Sequence, residues 1–148
     1  MPTRTARTAW NGSLETGEGQ VELTSSQLGT YDVSFPKRAS EEANGFTSPE
    51  ELLAAAHSAC YAMQFSGVLT AAGGTVEALD VKADVSLGAD PAGGFRISGI
   101  HLTVRGEVTG IDSATFIAAA NDAKAGCPVS KALTGVEITL DAQLVSCA

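Results

Sequence analysis

Two cysteines stand where thiol chemistry is possible. Cys60 closes the run Ser48-Pro-Glu-Glu-Leu-Leu-Ala-Ala-Ala-His-Ser-Ala-Cys60, three turns into a helix-forming segment. Cys127 lies in Lys124-Ala-Gly-Cys-Pro-Val-Ser130, just before a proline that can start a helix. One thiol in a packed helix and another at a helix start make a pair suited to reacting with peroxide. Both are equally small enough to be core fillers, since free cysteine is among the most buried residue types. His57, one turn before Cys60, opens two further options: a Cys–His dyad, or a zinc site of His57, Cys60 and Cys127 with an open fourth position. Because the surrounding helix is apolar on all sides, a hydrogen-bonded core histidine is the better reading of His57. His101 stands in a strand with no partner in view.

The elements that must position these residues are legible from local signals. Thr3 to Trp10, Gln20 to Thr24 and Tyr31 to Phe35 read as short strands, the first closed by the turn signal Asn11-Gly12 and the third by Pro36. Lys37 to Asn44 reads as an exposed polar loop. Ser48 as cap, Pro49 at the first helical position and Glu51 completing a capping box predict a helix that ends near Gly73-Gly74. Val81, Ala83, Val85 and Leu87 then alternate with polar residues as a half-buried strand. Phe95 and Ile97 occupy the opposite parity from Ile100, Leu102 and Val104, so a bulge is expected near Ser98-Gly99. Asp112 caps a helix through Phe116, Ile117, Ala120 and Lys124, Pro128 starts a short one to about Leu133, and Val136 to Leu144 alternates as the last strand. The order is β-β-β-α-β-β-α-α-β. It predicts a single α+β domain over residues 1–148, with antiparallel sheets packed around a long central helix.

Composition narrows the function classes. The chain has 148 residues, 44% apolar and 18% charged, so a packed core is expected. A net charge of −8 argues against nucleic acid and anionic membrane surfaces, which require clustered Lys and Arg. Leu52 to Ala72 is 21 residues without a formal charge, long enough to span a bilayer. It carries His57, Gln64, two serines and Gly67, and no Lys or Arg stands close by to orient it. A central helix covered by protein on most sides is the better reading, with no membrane partner. The polar, basic start of the chain has no apolar signal stretch after it. Three cysteines are too few for a disulfide scaffold, so a reducing cytoplasm fits best.

The Thr47-to-Cys60 run, the Gly110-Ile-Asp112 stretch and the Lys124-to-Ser130 run together resemble the OsmC/Ohr family, the osmotically inducible protein C and organic hydroperoxide resistance proteins. The resemblance extends from about Trp10 to Leu144, and His57 together with the Asp80-to-Leu87 strand looks more like the OsmC branch. It implies a metal-free and cofactor-free thiol peroxidase on an intertwined homodimer. Residue by residue, Cys60 matches the peroxidatic cysteine, oxidised to a sulfenic acid, and Cys127 the resolving cysteine that forms a Cys60–Cys127 disulfide. An ordinary thiol near pKa ~8.5 is largely protonated at neutral pH, so Cys60 needs a cation. Arg38 matches the catalytic arginine, although the variable loop length leaves Lys37 as the alternative. Glu50 matches the catalytic carboxylate. Along a straight helix it is about 15 Å from Cys60, so an arginine reaching between them or the Glu50 of a second chain must close the gap. Helix-dipole stabilisation is the plainer role for Glu50, one that Glu51 also fills.

Tyr31, Phe46 and Met63 could line an apolar pocket that favours organic hydroperoxides over hydrogen peroxide, or could be ordinary core. Cys147 departs from the family pattern and is expected to fray with the terminus. The resulting expectation is an enzyme that reduces organic hydroperoxides to alcohols and is recycled by an external dithiol. The resemblance implies lipoyl-type reductants. A redox-sensing or ligand-binding protein that uses the same disulfide as a switch is the alternative from another class.

Overall fold

A computed structural model of the chain describes residues 1–145, and Cys147 lies outside the described residues. The chain folds as two compact units, Met1–Leu52 and Leu53 onward, and one helix runs through the boundary.

The first unit is a three-stranded antiparallel sheet, order β1-β2-β3, of β1 (Arg7–Asn11), β2 (Glu18–Glu22) and β3 (Thr30–Val33). Gly12 takes φ +95 at the expected Asn11-Gly12 turn, a conformation that glycine adopts without a Cβ penalty. The segment expected as an open loop begins with a helical turn instead, α1 (Phe35–Arg38). The Ser34 hydroxyl accepts from the Lys37 N–H and Pro36 occupies the first turn, the same cap-and-proline device that starts the long helix. That device places Arg38 on an ordered element.

The long helix is α2 (Pro49–Ala71). Ser48 caps it by accepting the Glu51 N–H at 3.1 Å, while the Glu51 carboxylate turns to the Thr47 hydroxyl at 2.6 Å. It ends in a Schellman motif: Gly74 N–H donates to Leu69 C=O, Gly73 N–H donates to Thr70 C=O, and Gly73 takes φ +90.

The second unit joins α2 to β4 (Thr75–Ala89), β5 (Phe95–Thr109), α3 (Ser113–Gly126), α4 (Pro128–Ala132) and β6 (Ile138–Val145). The sheet order is β4-β5-β6. β4 and β5 are antiparallel, and the pairing jumps from Ser86–Gly99 to Leu87–Ile97, so Ser98 is the extra residue the parity slip predicted. A second bulge, at Glu77 between Val76 and Ala78, had no counterpart in the pattern. β6 pairs with β5 in parallel, where antiparallel sheets were expected. Two helices separate β5 from β6, and such a crossover returns the chain to the same end of the sheet.

The core forms where α2 and α3 meet one face of β5. Tyr61, Phe65 and Leu69 pack with Ile100, Leu102, Val104 and Val108 of β5 and with Phe116, Ala119, Ala120 and Ala123 of α3. The Phe65 and Phe116 rings meet edge-on at 5.0 Å. Tyr61 Oη donates to Ala120 C=O at 2.8 Å, which ties α2 to α3. Among the described residues the covered side of α2 is this stripe together with Glu50 and His57. Ala55, Ala59, Met63 and Gly67 stay exposed, Met63 at 76%, so the helix expected to be covered on most sides keeps an apolar flank open. By length and composition α2 could cross a membrane, at mean hydropathy 1.2 over its most apolar stretch.

Gly106 makes room for this docking. A Cβ there would stand 2.6 Å from Phe116 Cε2 and 3.0 Å from Leu79 Cδ2. Gly106→Ala is therefore expected to lift α3 from the sheet and destabilise the protein by about 1–3 kcal/mol, the usual cost of overpacking. The check is a lower urea midpoint at unchanged m-value. A midpoint equal to the parent's would show that Phe116 yields without cost.

Candidate active site

α2 and the α3–α4 junction bring the two thiols together. Cys60 and Cys127 are both free, with their sulfurs 3.1 Å apart. Cys127 is fully buried, whereas Cys60 is only half-buried. The junction comes close because Gly126 has no side chain: a Cβ there would stand 3.0 Å from Gln64 Nε2 of α2. Cys127 is itself the cap residue of α4, in extended conformation, with Pro128 in the first turn.

The electrostatics of the pair are unequal. Burial pushes the Cys60 thiol up, the Val129 N–H only partly offsets this, and the neighbouring Cys127 adds to the rise. Burial also acts upward on Cys127, but the Ser130 N–H, Cys60, the Ser130 hydroxyl and the Val129 N–H together bring it below its ordinary value. The thiol closes no capping hydrogen bond of the kind Asp112 makes to Thr115 on α3. The two N–H groups face the larger sulfur as a weaker, electrostatic contact, the usual way a helix start favours a thiolate. The groups in contact with the pair thus favour the anion on Cys127, so the activation expected of Cys60 requires a charge that they do not supply.

His57 is a hydrogen-bonded core residue. It is fully buried, its Nε2 lies 2.8 Å from Ser130 Oγ, and burial lowers its pKa. Ser130, 6% exposed, touches both His57 and Cys127, and the sequence reading did not single it out. Its signal was position: the third residue after a helix-capping cysteine returns to the cap. Among the described residues no three His, Cys, Asp or Glu side chains gather as a metal site. His101, expected to be alone, bonds through Nδ1 to Thr139 Oγ1 at 2.6 Å, because the parallel β6 sets Thr139 opposite it.

In the first unit Arg38 grips Glu50 of its own chain through two nitrogens. Nη2 donates to Oε1 at 2.8 Å, and Nε donates to Oε1 at 3.1 Å and Oε2 at 3.2 Å. Glu50 is 8% exposed, so its partner does more than decorate a helix start. Lys37 instead stands 6.0 Å above the Phe46 ring, which favours Arg38 as the organised cation. Arg38 also borders an apolar cavity of about 290 Å³ lined by Trp10, Leu14, Val21, Val33, Phe35 and Leu52, among others. Of the residues expected to form a pocket, Tyr31 is 42% exposed and does not line this cavity. Phe46 lines a separate, more polar hollow, and Met63 stands on the open flank of α2.

Comparison with known proteins identifies the family. The family model for OsmC-like protein matches residues 42–141. Peroxiredoxin OsmC of Escherichia coli is 44% identical over 137 residues, 93% of each chain. The organic hydroperoxide resistance protein OhrB of Bacillus subtilis superposes with a TM-score of 0.72 at 28% identity, over 94% of this chain and 98% of that one. An organic hydroperoxide resistance protein OsmC from Legionella pneumophila superposes at 0.70 with 27% identity, over 97% and 99%. The paired thiols, the Arg38–Glu50 clamp and these likenesses lead to one conclusion: the chain belongs to the OsmC family.

Proposed function

We propose that the protein is a cysteine-based peroxidase that reduces organic hydroperoxides to alcohols. The observation that carries this reading is the pair of free sulfurs at 3.1 Å, one reaching the surface and one fully buried. A peroxide arriving from solvent meets Cys60 first. The Cys60 thiolate attacks the distal peroxide oxygen, the O–O bond breaks, and the alkoxide leaves as alcohol after taking a proton, so that Cys60 becomes a sulfenic acid. Cys127 condenses with it to a disulfide and releases water, and an external dithiol returns both thiols. A lipoyl-type dithiol is the reductant the family resemblance favours, and the chemistry needs no metal or cofactor. Thiols that must cycle through the reduced state suit the cytoplasm.

In this reading Arg38 is the activating cation, and Glu50 holds its fork in one orientation. The apolar cavity beside Arg38 supports the organic class of substrate, because an apolar wall with one guanidinium suits a molecule with a hydrocarbon body and a polar head. The active unit is a homodimer: the flank of Ala55, Ala59, Met63 and Gly67 is apolar and lined by small residues, and a second copy would cover it.

Cys60→Ser is expected to abolish peroxide consumption with dithiol, while Cys127→Ser turns over once and leaves a sulfenate on Cys60. Mass spectrometry after one equivalent of cumene hydroperoxide reads both, and a sulfenate on Cys127 of the parent would reverse the roles. A parent chain that oxidises once and then stops, despite excess dithiol, would be a sensor.

Arg38→Ala should slow peroxide reduction roughly a hundredfold, because a lost charge-assisted contact costs on the order of 2–3 kcal/mol of barrier. Stopped-flow rates decide this, with Lys37→Ala as the control expected to match the parent.

Light scattering at micromolar concentration should give the mass of two chains. Met63→Glu, which sets a carboxylate on the open flank of α2, should shift it toward one. A monomeric, fully active parent would end the dimer assignment.

A further inference from the structure

His57 is a buried titratable group that the reaction above leaves idle, and its surroundings give it a task. Its Nε2 faces Ser130 Oγ at 2.8 Å, and among the described residues its buried Nδ1 has no partner. Burial keeps the ring neutral, so one nitrogen carries hydrogen and the other is bare. A hydrogen on Nδ1 would bury a donor with no acceptor, whereas a bare Nδ1 leaves only a lone pair unused. The Nε2–H form is therefore selected, and it donates to Ser130 Oγ. Ser130, 6% exposed, has then used its oxygen as acceptor, and its own hydrogen must find another partner. The acceptor beside it is the Cys127 sulfur, three residues back at the cap of α4.

We propose that His57 is a positioning residue for disulfide formation: by donating to Ser130 Oγ it holds the serine hydroxyl hydrogen on Cys127 Sγ and favours that sulfur as the thiolate once Cys60 has become a sulfenic acid. The proposal rests on Cys127 being the resolving thiol. In the step it serves, the Cys127 thiolate attacks the sulfenic sulfur of Cys60. The S–S bond forms and the Cys60 S–O bond breaks. Hydroxide leaves with the electron pair and becomes water by taking up a proton, equivalent to the one Cys127 lost on ionising. Ser130, which touches the reacting sulfur, keeps its own proton throughout, and His57 stays neutral. Among the described residues, the other titratable groups electrostatically linked to Cys127 are Cys60 and Tyr61. Burial and the neighbouring Cys127 keep the Tyr61 phenol protonated, and its hydroxyl is committed to Ala120.

The test uses the full chain with rapid quench into dimedone, followed by mass spectrometry, across a range of pH. Oxidation of Cys60 should be no slower than the parent's in His57→Leu, His57→Gln and Ser130→Ala, since a protonated Cys127 opposes Cys60 ionisation less than a thiolate does. The following condensation should slow about tenfold at neutral pH in His57→Leu and Ser130→Ala, with the midpoint of its pH profile raised by about one unit. At high pH the rate should recover, and His57→Gln, whose amide N–H can reach Ser130, should restore most of it. Parent-like condensation in Ser130→Ala and His57→Leu would overturn the proposal. So would a slowing that high pH does not relieve, which is the mark of lost packing. If His57→Leu does not fold, Ser130→Ala and His57→Gln carry the same comparison. A sulfenate trapped on Cys127 of the parent would instead overturn the underlying assignment of the two sulfurs, a different and separately visible result.

Discussion

The shared docking of α2 and α3 on β5 is the constraint on which the thiol pair depends. Cys60 belongs to the middle of one helix and Cys127 to the end of another, and neither element can aim its sulfur alone. Phe116 fills the space left by Gly106, Phe65 meets Phe116 edge-on, and Tyr61 hydrogen-bonds Ala120 across the helix pair. Core packing tolerates little displacement, since even a methylene is felt at such density. The 3.1 Å sulfur separation is thus a consequence of aromatic packing a few residues away.

Within that packing a polar cluster has been buried, and each member is satisfied by another. Cys127 takes favourable contacts from two N–H groups of α4, Ser130 answers both Cys127 and His57, and only His57 Nδ1 goes without a partner. The consequence is an electrostatic division of labour. The buried sulfur is the one its neighbours favour as an anion, whereas burial and Cys127 disfavour the anion on the accessible sulfur. Arg38, held by Glu50 on the short capped turn after β3, is an organised cation: two of its nitrogens are fixed, and its flank borders an apolar cavity.

The flank of α2 follows from the same economy. The β5 face together with α3 and α4 covers one side of it, and its exposed apolar side is lined by alanine, glycine and Met63. A helix of this composition meets the length and hydropathy of a membrane span, yet His57, Tyr61, Phe65 and Leu69 are spent on a protein core.

The sequence by itself determined the elements and the residues with chemistry to offer. Caps, prolines and glycines are local, so α2, α3 and α4 were legible, as was the Ser98 bulge in the parity of one strand. Ser34 and Pro36 carry the same signal for α1, but a single helical turn has no apolar period to accompany it. The two cysteines and the Arg38 and Glu50 pair were legible through the family resemblance. What only the tertiary structure decided was pairing: the parallel β6, the hydrogen bond of His101 to Thr139, the grip of Arg38 on Glu50 within one chain, and the meeting of His57 with Ser130. These join residues distant in sequence, and their partners are chosen by which faces the sheet and helices bury together. Ser130 became chemically significant only when α4 was folded back against α2, because a serine near a cysteine has no assigned partner until burial removes water as the alternative.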